Sequence, residues 1–171
     1  MFPTLQFGPL NIQTPGLIIL ISVWVGLTLS ERFSVRHGYS GDKLYNLVLI
    51  SLAAGIVGAR VSFALGNLPA FSSNPINLFS LNPGLLDVFG GIASAFLAAI
   101  IYGYRKRLLL WDTLDALTPL FAVTMIGISI SHLASGNAYG SITTLPWGIE
   151  LWGAQRHPSQ IYEIIASSFA L

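Results

Sequence analysis

The sequence contains no cysteine and very little charge. Without cysteine there is no disulfide framework and no thiolate metal site, so any sulfur chemistry must use a thiol brought by a substrate. Charged residues make up 9% of the chain, against about 25% in an ordinary globular protein. So few charges cannot clothe a globular surface of this size. A small secreted domain, a nucleic-acid binder and a disordered tail are thereby excluded. The formal net charge of +1 says little about partners. The first fifteen residues lack a basic n-region and a small-residue cleavage site, which argues against a cleaved signal peptide. No tandem repeat or low-complexity segment stands out.

The chain does have apolar length. Hydrophobic residues reach 53% of 171, and the mean hydropathy is +0.69. A helix needs roughly 20 apolar residues to cross about 30 Å of hydrocarbon. Four segments meet or approach this: Gly16–Ser30, Leu44–Gly66, Gly84–Tyr104 and Asp112–Ser135. A fifth begins near Pro158 and offers about 14 residues, roughly 21 Å, before Leu171. The reading is all-α: a polytopic membrane helix bundle forming a single transmembrane domain over 1–171. It has about four complete spans and the start of a fifth, and is expected to be incomplete at its C-terminus.

The basic residues set the orientation. Arg32, Arg36 and Lys43 follow the first span, and Arg105, Lys106 and Arg107 follow the third. Those loops are expected to be cytoplasmic, which puts the N-terminus and the segments 67–83 and 136–157 outside. The outer segments are rich in Pro, Gly, Asn and Ser, with Phe71, Phe79, Trp147 and Trp152 interleaved. Two readings stand for them: interfacial anchors, or a roof over a site open to the outer leaflet. Gly127, Ser131 and Ser135 recur every four residues, a spacing that lets helices approach closely.

Polar groups inside such a chain need reasons. Arg60 lies about 9 Å from the outer end of the second span, where a charge either snorkels or meets a partner. Asp87, at a comparable depth, is the expected partner. Gly90-Gly91 permits close helix packing or backbone contact with a ligand. His132 is either a hydrogen-bonded packing residue or a base. The densest cluster is Arg156-His157-Pro158-Ser159-Gln160-Ile161-Tyr162-Glu163. Pro158 suits the first turn of a helix, and Gln160 is placed to reach back as in a capping box. Arg156 beside a helix N-terminus forms an anion site. Lipid headgroups lie at this depth, so the segment reads as a phospholipid-handling site.

At this segment the sequence resembles the bacterial prolipoprotein diacylglyceryl transferase family. RHPSQIYE at 156–163 is similar to that family's R-H-P-[ST]-Q-L-Y-E signature. Gly8-Pro9 with Gly16-Leu17, Gly58-Ala59-Arg60, Gly90-Gly91-Ile92, and Ser135-Gly136 with Gly140 resemble further family blocks in the expected order. The resemblance covers the family's first five of seven spans. It implies transfer of diacylglyceryl from phosphatidylglycerol to the lipobox cysteine of a prolipoprotein, with release of glycerol phosphate. A multi-pass protein of the bacterial plasma (inner) membrane follows, with membrane lipids as surroundings and no cofactor, metal or nucleic acid. It implies His157 or His132 as base, and Arg60, Gly90, Gly91, Arg156, Ser159, Gln160, Tyr162 and Glu163 in phospholipid binding. The sequence differs from the family pattern at Pro15, Phe89, Ser129 and His132, where the family has Tyr, His, Arg and Asn, and at Asn137, where it has Glu. A second reading is therefore a non-catalytic relative that binds phospholipid or lipoprotein precursor. A small transporter subunit has only generic support, since no inverted repeat is evident.

Overall fold

The computed structural model describes residues 4–7, 10–73, 76 and 83–171. In chain order the elements are β1 (Thr4–Phe7), β2 (Leu10–Gln13), α1 (Thr14–Arg36), α2 (Gly41–Gly66), α3 (Leu68–Ser73), α4 (Val88–Lys106), α5 (Leu110–Ser135), β3 (Ile149–Leu151), β4 (Ala154–Arg156) and α6 (Ser159–Ala170). A 3-10 turn at Pro83–Leu85 precedes α4. The helical class expected from composition holds, with two short antiparallel hairpins added, β1–β2 and β3–β4. Gly8-Pro9 and Phe79 lie outside the described residues.

Helices α1, α2, α4 and α5 are each long and apolar enough to cross a membrane. Their exposed faces carry residues such as Trp24, Ile56, Phe96 and Phe121. In water that surface would be costly; against hydrocarbon it is the expected one. The helices differ from the apolar runs at their ends, because local chemistry sets the ends. Pro15 lies in the first turn of α1, where its missing donor costs nothing. That helix then continues past Ser30 to Arg36 and stops at Gly38, which takes φ +79°. Helix α4 starts four residues later than Gly84, because Asp87 caps it: its carboxylate accepts the N–H groups of Phe89 and Gly90, each at 3.1 Å.

Two compact units form: Met1–Tyr39 with Asp115–Leu171, and Ser40–Leu114. In the second unit α2 and α4 pack through small residues. A methyl group on Gly58 would collide with the Ser94 side chain, and one on Gly90 with Ser62. One on Gly91 would meet Ala59 Cβ at 3.0 Å and the Gly55 carbonyl at 3.1 Å. Bare backbone on both helices lets the axes come this close, and the contacts that result hold membrane helices together.

In the first unit α1 packs on α5. A side chain on Gly26 would meet the Leu120 backbone at 3.0 Å, and one on Gly127 would strike Ser22. Gly127 in the small-residue stripe thus serves packing. Pro119 lies inside α5, where proline disturbs the helical ladder. The neighbouring Leu120 N–H donates to Ser30 Oγ across the helix pair, at 2.9 Å. Ser30 is completely buried, so this hydrogen bond ties α1 to α5 away from water, a contribution of about 0.5–1.5 kcal/mol.

Candidate functional site

The polar residues of the first unit gather where α5 ends and α6 begins. Helix α5 ends at Gly136, φ +74°, after which the Asn137 N–H returns to the His132 carbonyl at 3.0 Å. The chain then runs beside the β3–β4 hairpin. Gly140 N–H donates to His157 O and His157 N–H to Ser141 O, both at 3.0 Å. Ile142 forms a bridge with Arg156. Gly140 has to be glycine here, because a methyl group would lie 2.7 Å from His157 Cβ. The hairpin turns at Trp152-Gly153, both with positive φ (55° and 73°). Such a two-residue turn matches the twist of antiparallel strands. Segment 136–157 is therefore a folded cap rather than a plain loop. Its tryptophans tie it down: Trp152 Nε1 donates to Gly136 O at 3.2 Å, and Trp147 Nε1 to the Tyr162 hydroxyl at 2.9 Å.

Arg156, at the end of β4, lays its guanidinium over the Tyr139 ring, 4.6 Å from the centroid. Its Nε is buried and has no hydrogen-bond partner among the described residues. Stacking on an aromatic face orients a guanidinium and leaves its donor fork free for the oxygens of a carboxylate or phosphate. His157 follows, its Nδ1 3.2 Å from the Tyr162 hydroxyl. An indole N–H can only donate, so the Tyr162 oxygen accepts from Trp147 and its own proton is available for His157 Nδ1. In the tautomer where Nδ1 accepts that proton, His157 carries its own on Nε2. His132, on α5, keeps a buried Nδ1 with no hydrogen-bond partner among the described residues.

Several other candidates have partners within the protein. Ser159 Oγ donates to Ala138 O at 2.5 Å. Gln160 is completely buried, and its Nε2 donates to Asn137 O at 2.6 Å. The capping-box expectation is thus corrected: Pro158 occupies the N-cap itself with no side-chain cap, and Gln160 turns across to the end of α5 instead. Glu163 accepts a hydrogen bond from Ser129 Oγ at 2.7 Å, joining α6 to the last third of α5. No local pattern marks that pair, since the two residues are 34 positions apart.

In the second unit Arg60 Nη1 donates to Leu85 O at 3.1 Å. The carboxylate of Asp87 receives the Ser62 hydroxyl at 2.5 Å as well as its two capping N–H groups. The Ser62 hydrogen bond holds the Asp87 carboxyl below its ordinary range, opposed by desolvation and aided by the Gly90 and Phe89 N–H groups. Arg60 and Asp87 thus both secure the connection into α4, through Leu85 and Ser62 respectively. Gly90 and Gly91 lie in the α2 contact described above. Phe89 is 84% exposed. Among the described residues no group of three or more His, Cys, Asp or Glu side chains is placed to hold a metal ion.

The family model for prolipoprotein diacylglyceryl transferase matches residues 3–171. The chain belongs to the prolipoprotein diacylglyceryl transferase family. Similar proteins include the phosphatidylglycerol–prolipoprotein diacylglyceryl transferase of Chloroflexus aggregans, 31% identical over 153 residues, covering 89% of this chain and 50% of that relative. The protein of the same name from Photobacterium profundum is 27% identical over 181 residues, covering 99% and 68%. That of Coxiella burnetii is 27% identical over 173 residues, covering 97% and 66%. The chain thus spans half to two thirds of the length of these relatives. Membership accounts for the four apolar helices: this is a multi-pass membrane protein.

Proposed function

We propose that this chain handles phosphatidylglycerol in the bacterial plasma (inner) membrane and transfers its diacylglyceryl group to the lipobox cysteine of a prolipoprotein. The N-terminus and the cap would face outward. The observation that carries this reading is Arg156, stacked on Tyr139 with an unpartnered Nε beside the held imidazole of His157. In the reaction a thiolate sulfur attacks the glyceryl carbon that bears the phosphoester. A C–S bond forms, the C–O bond breaks, and the electron pair leaves with glycerol phosphate. A guanidinium and an imidazole N–H at the departing phosphate stabilise the charge that develops there. His157, in the tautomer with its proton on Nε2, suits this donor part. His132, with Nδ1 uncommitted, suits removal of the thiol proton. Ser159, Gln160 and Tyr162 hold these groups in position.

A second reading is supported by particular residues. Ser129 stands where the family pattern has an arginine, and its hydroxyl is spent on Glu163. Phe89 stands where it has a histidine and lies exposed. Both favour a relative that binds phospholipid or precursor without turnover. Reconstitution with phosphatidylglycerol and a lipobox peptide separates the readings. Transfer predicts a diacylglyceryl thioether on the peptide, by mass spectrometry, and glycerol phosphate in equal amount. Folded protein that retains phosphatidylglycerol without product selects the binding reading; neither product nor retention overturns both.

A further inference from the structure

His157 and Tyr162 meet a third group that comes from the cap. Trp147 sits at a corner of the turn Leu145-Pro146-Trp147-Gly148, closed by the Gly148 N–H on Leu145 O at 3.0 Å. Pro146 supplies the fixed φ that the first corner of such a turn prefers. The turn is clamped at Leu145: its N–H donates to Thr143 Oγ1 at 3.2 Å, and its carbonyl accepts from Gln155 Nε2 at 2.9 Å. Gly148 leaves no room for a side chain, since a methyl group there would lie 2.7 Å from Gln155 Cγ and 2.9 Å from Thr143 Cγ2. The indole is therefore held by the cap, fifteen residues from the tyrosine it reaches.

Two neighbours share one phenol oxygen. Trp147 Nε1 lies 2.9 Å from the Tyr162 hydroxyl, and that hydroxyl lies 3.2 Å from His157 Nδ1. An indole N–H can only donate, whereas an imidazole nitrogen takes either role. With Trp147 donating, the phenol proton turns to His157, and a phenol that accepts one hydrogen bond gives a stronger one. Without the indole N–H that order is released, and the Tyr162 oxygen can equally receive a proton from Nδ1–H of His157. The His157 backbone is fixed separately, by Gly140 and Ser141, so the ring keeps its place while its proton is free to change nitrogen.

We propose that Trp147 is a positioning residue for His157: acting through Tyr162, it keeps the imidazole proton on Nε2. Its effect on transfer rests on the function proposed above, in which that proton meets the departing phosphate; the place of the proton on the ring does not. The test is NMR of nitrogen-labelled histidine at a pH where the ring is neutral, with His157 assigned by its loss in His157→Gln, alongside rates with phosphatidylglycerol and a lipobox peptide. In the unsubstituted protein Nδ1 should resonate as a bare nitrogen and Nε2 as an N–H. In Trp147→Phe the two resonances should move toward each other. Its kcat should fall about three- to tenfold, the worth of one hydrogen bond, with KM for phosphatidylglycerol unchanged. In a Tyr162→Phe background Trp147→Phe should change nothing further. Trp152→Phe removes another indole donor of the cap, one bonded to Gly136 O, and should leave both resonances in place. Unmoved His157 resonances in folded Trp147→Phe would overturn the proposal, as would equal movement in Trp152→Phe. Moved resonances with an unchanged kcat would uphold the placing of the proton and remove His157 from the phosphate.

Discussion

The Arg156→Gln protein is expected to lose about 10²–10³-fold in kcat/KM for diacylglyceryl transfer, the usual penalty for removing one preorganised donor from a developing anion. Helix content should not change, because the guanidinium's contact is with the Tyr139 ring rather than with the packing of α1 on α5. Arg156→Lys should fall between the two. An ammonium keeps the charge but loses the flat stack and the paired donors that a phosphate accepts. Tyr139→Leu should behave as a weaker Arg156 variant, since it removes the surface that orients the guanidinium. Steady-state rates with phosphatidylglycerol and a lipobox peptide measure all three. A rate for Arg156→Gln within about threefold of the original would remove Arg156 from the phosphate.

The second large effect concerns stability. Gly58→Ala should destabilise the α2–α4 pair by about 1–3 kcal/mol, the range for overpacking a tight contact. The added methyl collides with the Ser94 side chain and comes within 3.3 Å of the Gly90 carbonyl. The helices must then separate, and the neighbouring contacts at Gly55 and Gly91 loosen with them. Ser94→Gly in the same chain removes the obstacle and should recover most of the loss. Gly103→Ala is the control, because nothing lies within 4 Å of its added methyl. Thermal unfolding followed by size-exclusion fluorescence reports all three variants. Losses of Gly58→Ala and Ser94→Gly that simply add would mean that the two positions do not meet.

The four spans were legible because hydrocarbon imposes one requirement, apolar length, and the sequence meets it four times. Their ends were less so. Asp87 reads from the sequence as a charge inside a span, yet Asp followed by an apolar run is also the grammar of an N-cap, and the cap is what forms. The β3–β4 hairpin carried a signal in Trp152-Gly153, but each strand is only three residues long, too short for alternation to show. Arg156 and His157 were legible by type and spacing. What they do was not, since Tyr139, Trp147 and Tyr162 reach them only once the cap has folded. The Ser129–Glu163 hydrogen bond depends wholly on how α6 lies along α5, and no local pattern encodes it. Gln160 shows the opposite failure: the local pattern suggested a cap, and complete burial beneath Asn137 overrode it.

Under the proposed function, phosphatidylglycerol would place its phosphate at the cap of the first unit, against Arg156. The most direct test is a phosphatidylglycerol analogue with a photoreactive group in its headgroup, cross-linked in bilayers and mapped by peptide mass spectrometry. Labels are expected in 136–143 and 156–163, displaced by unlabelled phosphatidylglycerol and lost in Arg156→Gln. Labels confined to the exposed apolar faces of α1 and α4, unchanged by that substitution, would contradict it.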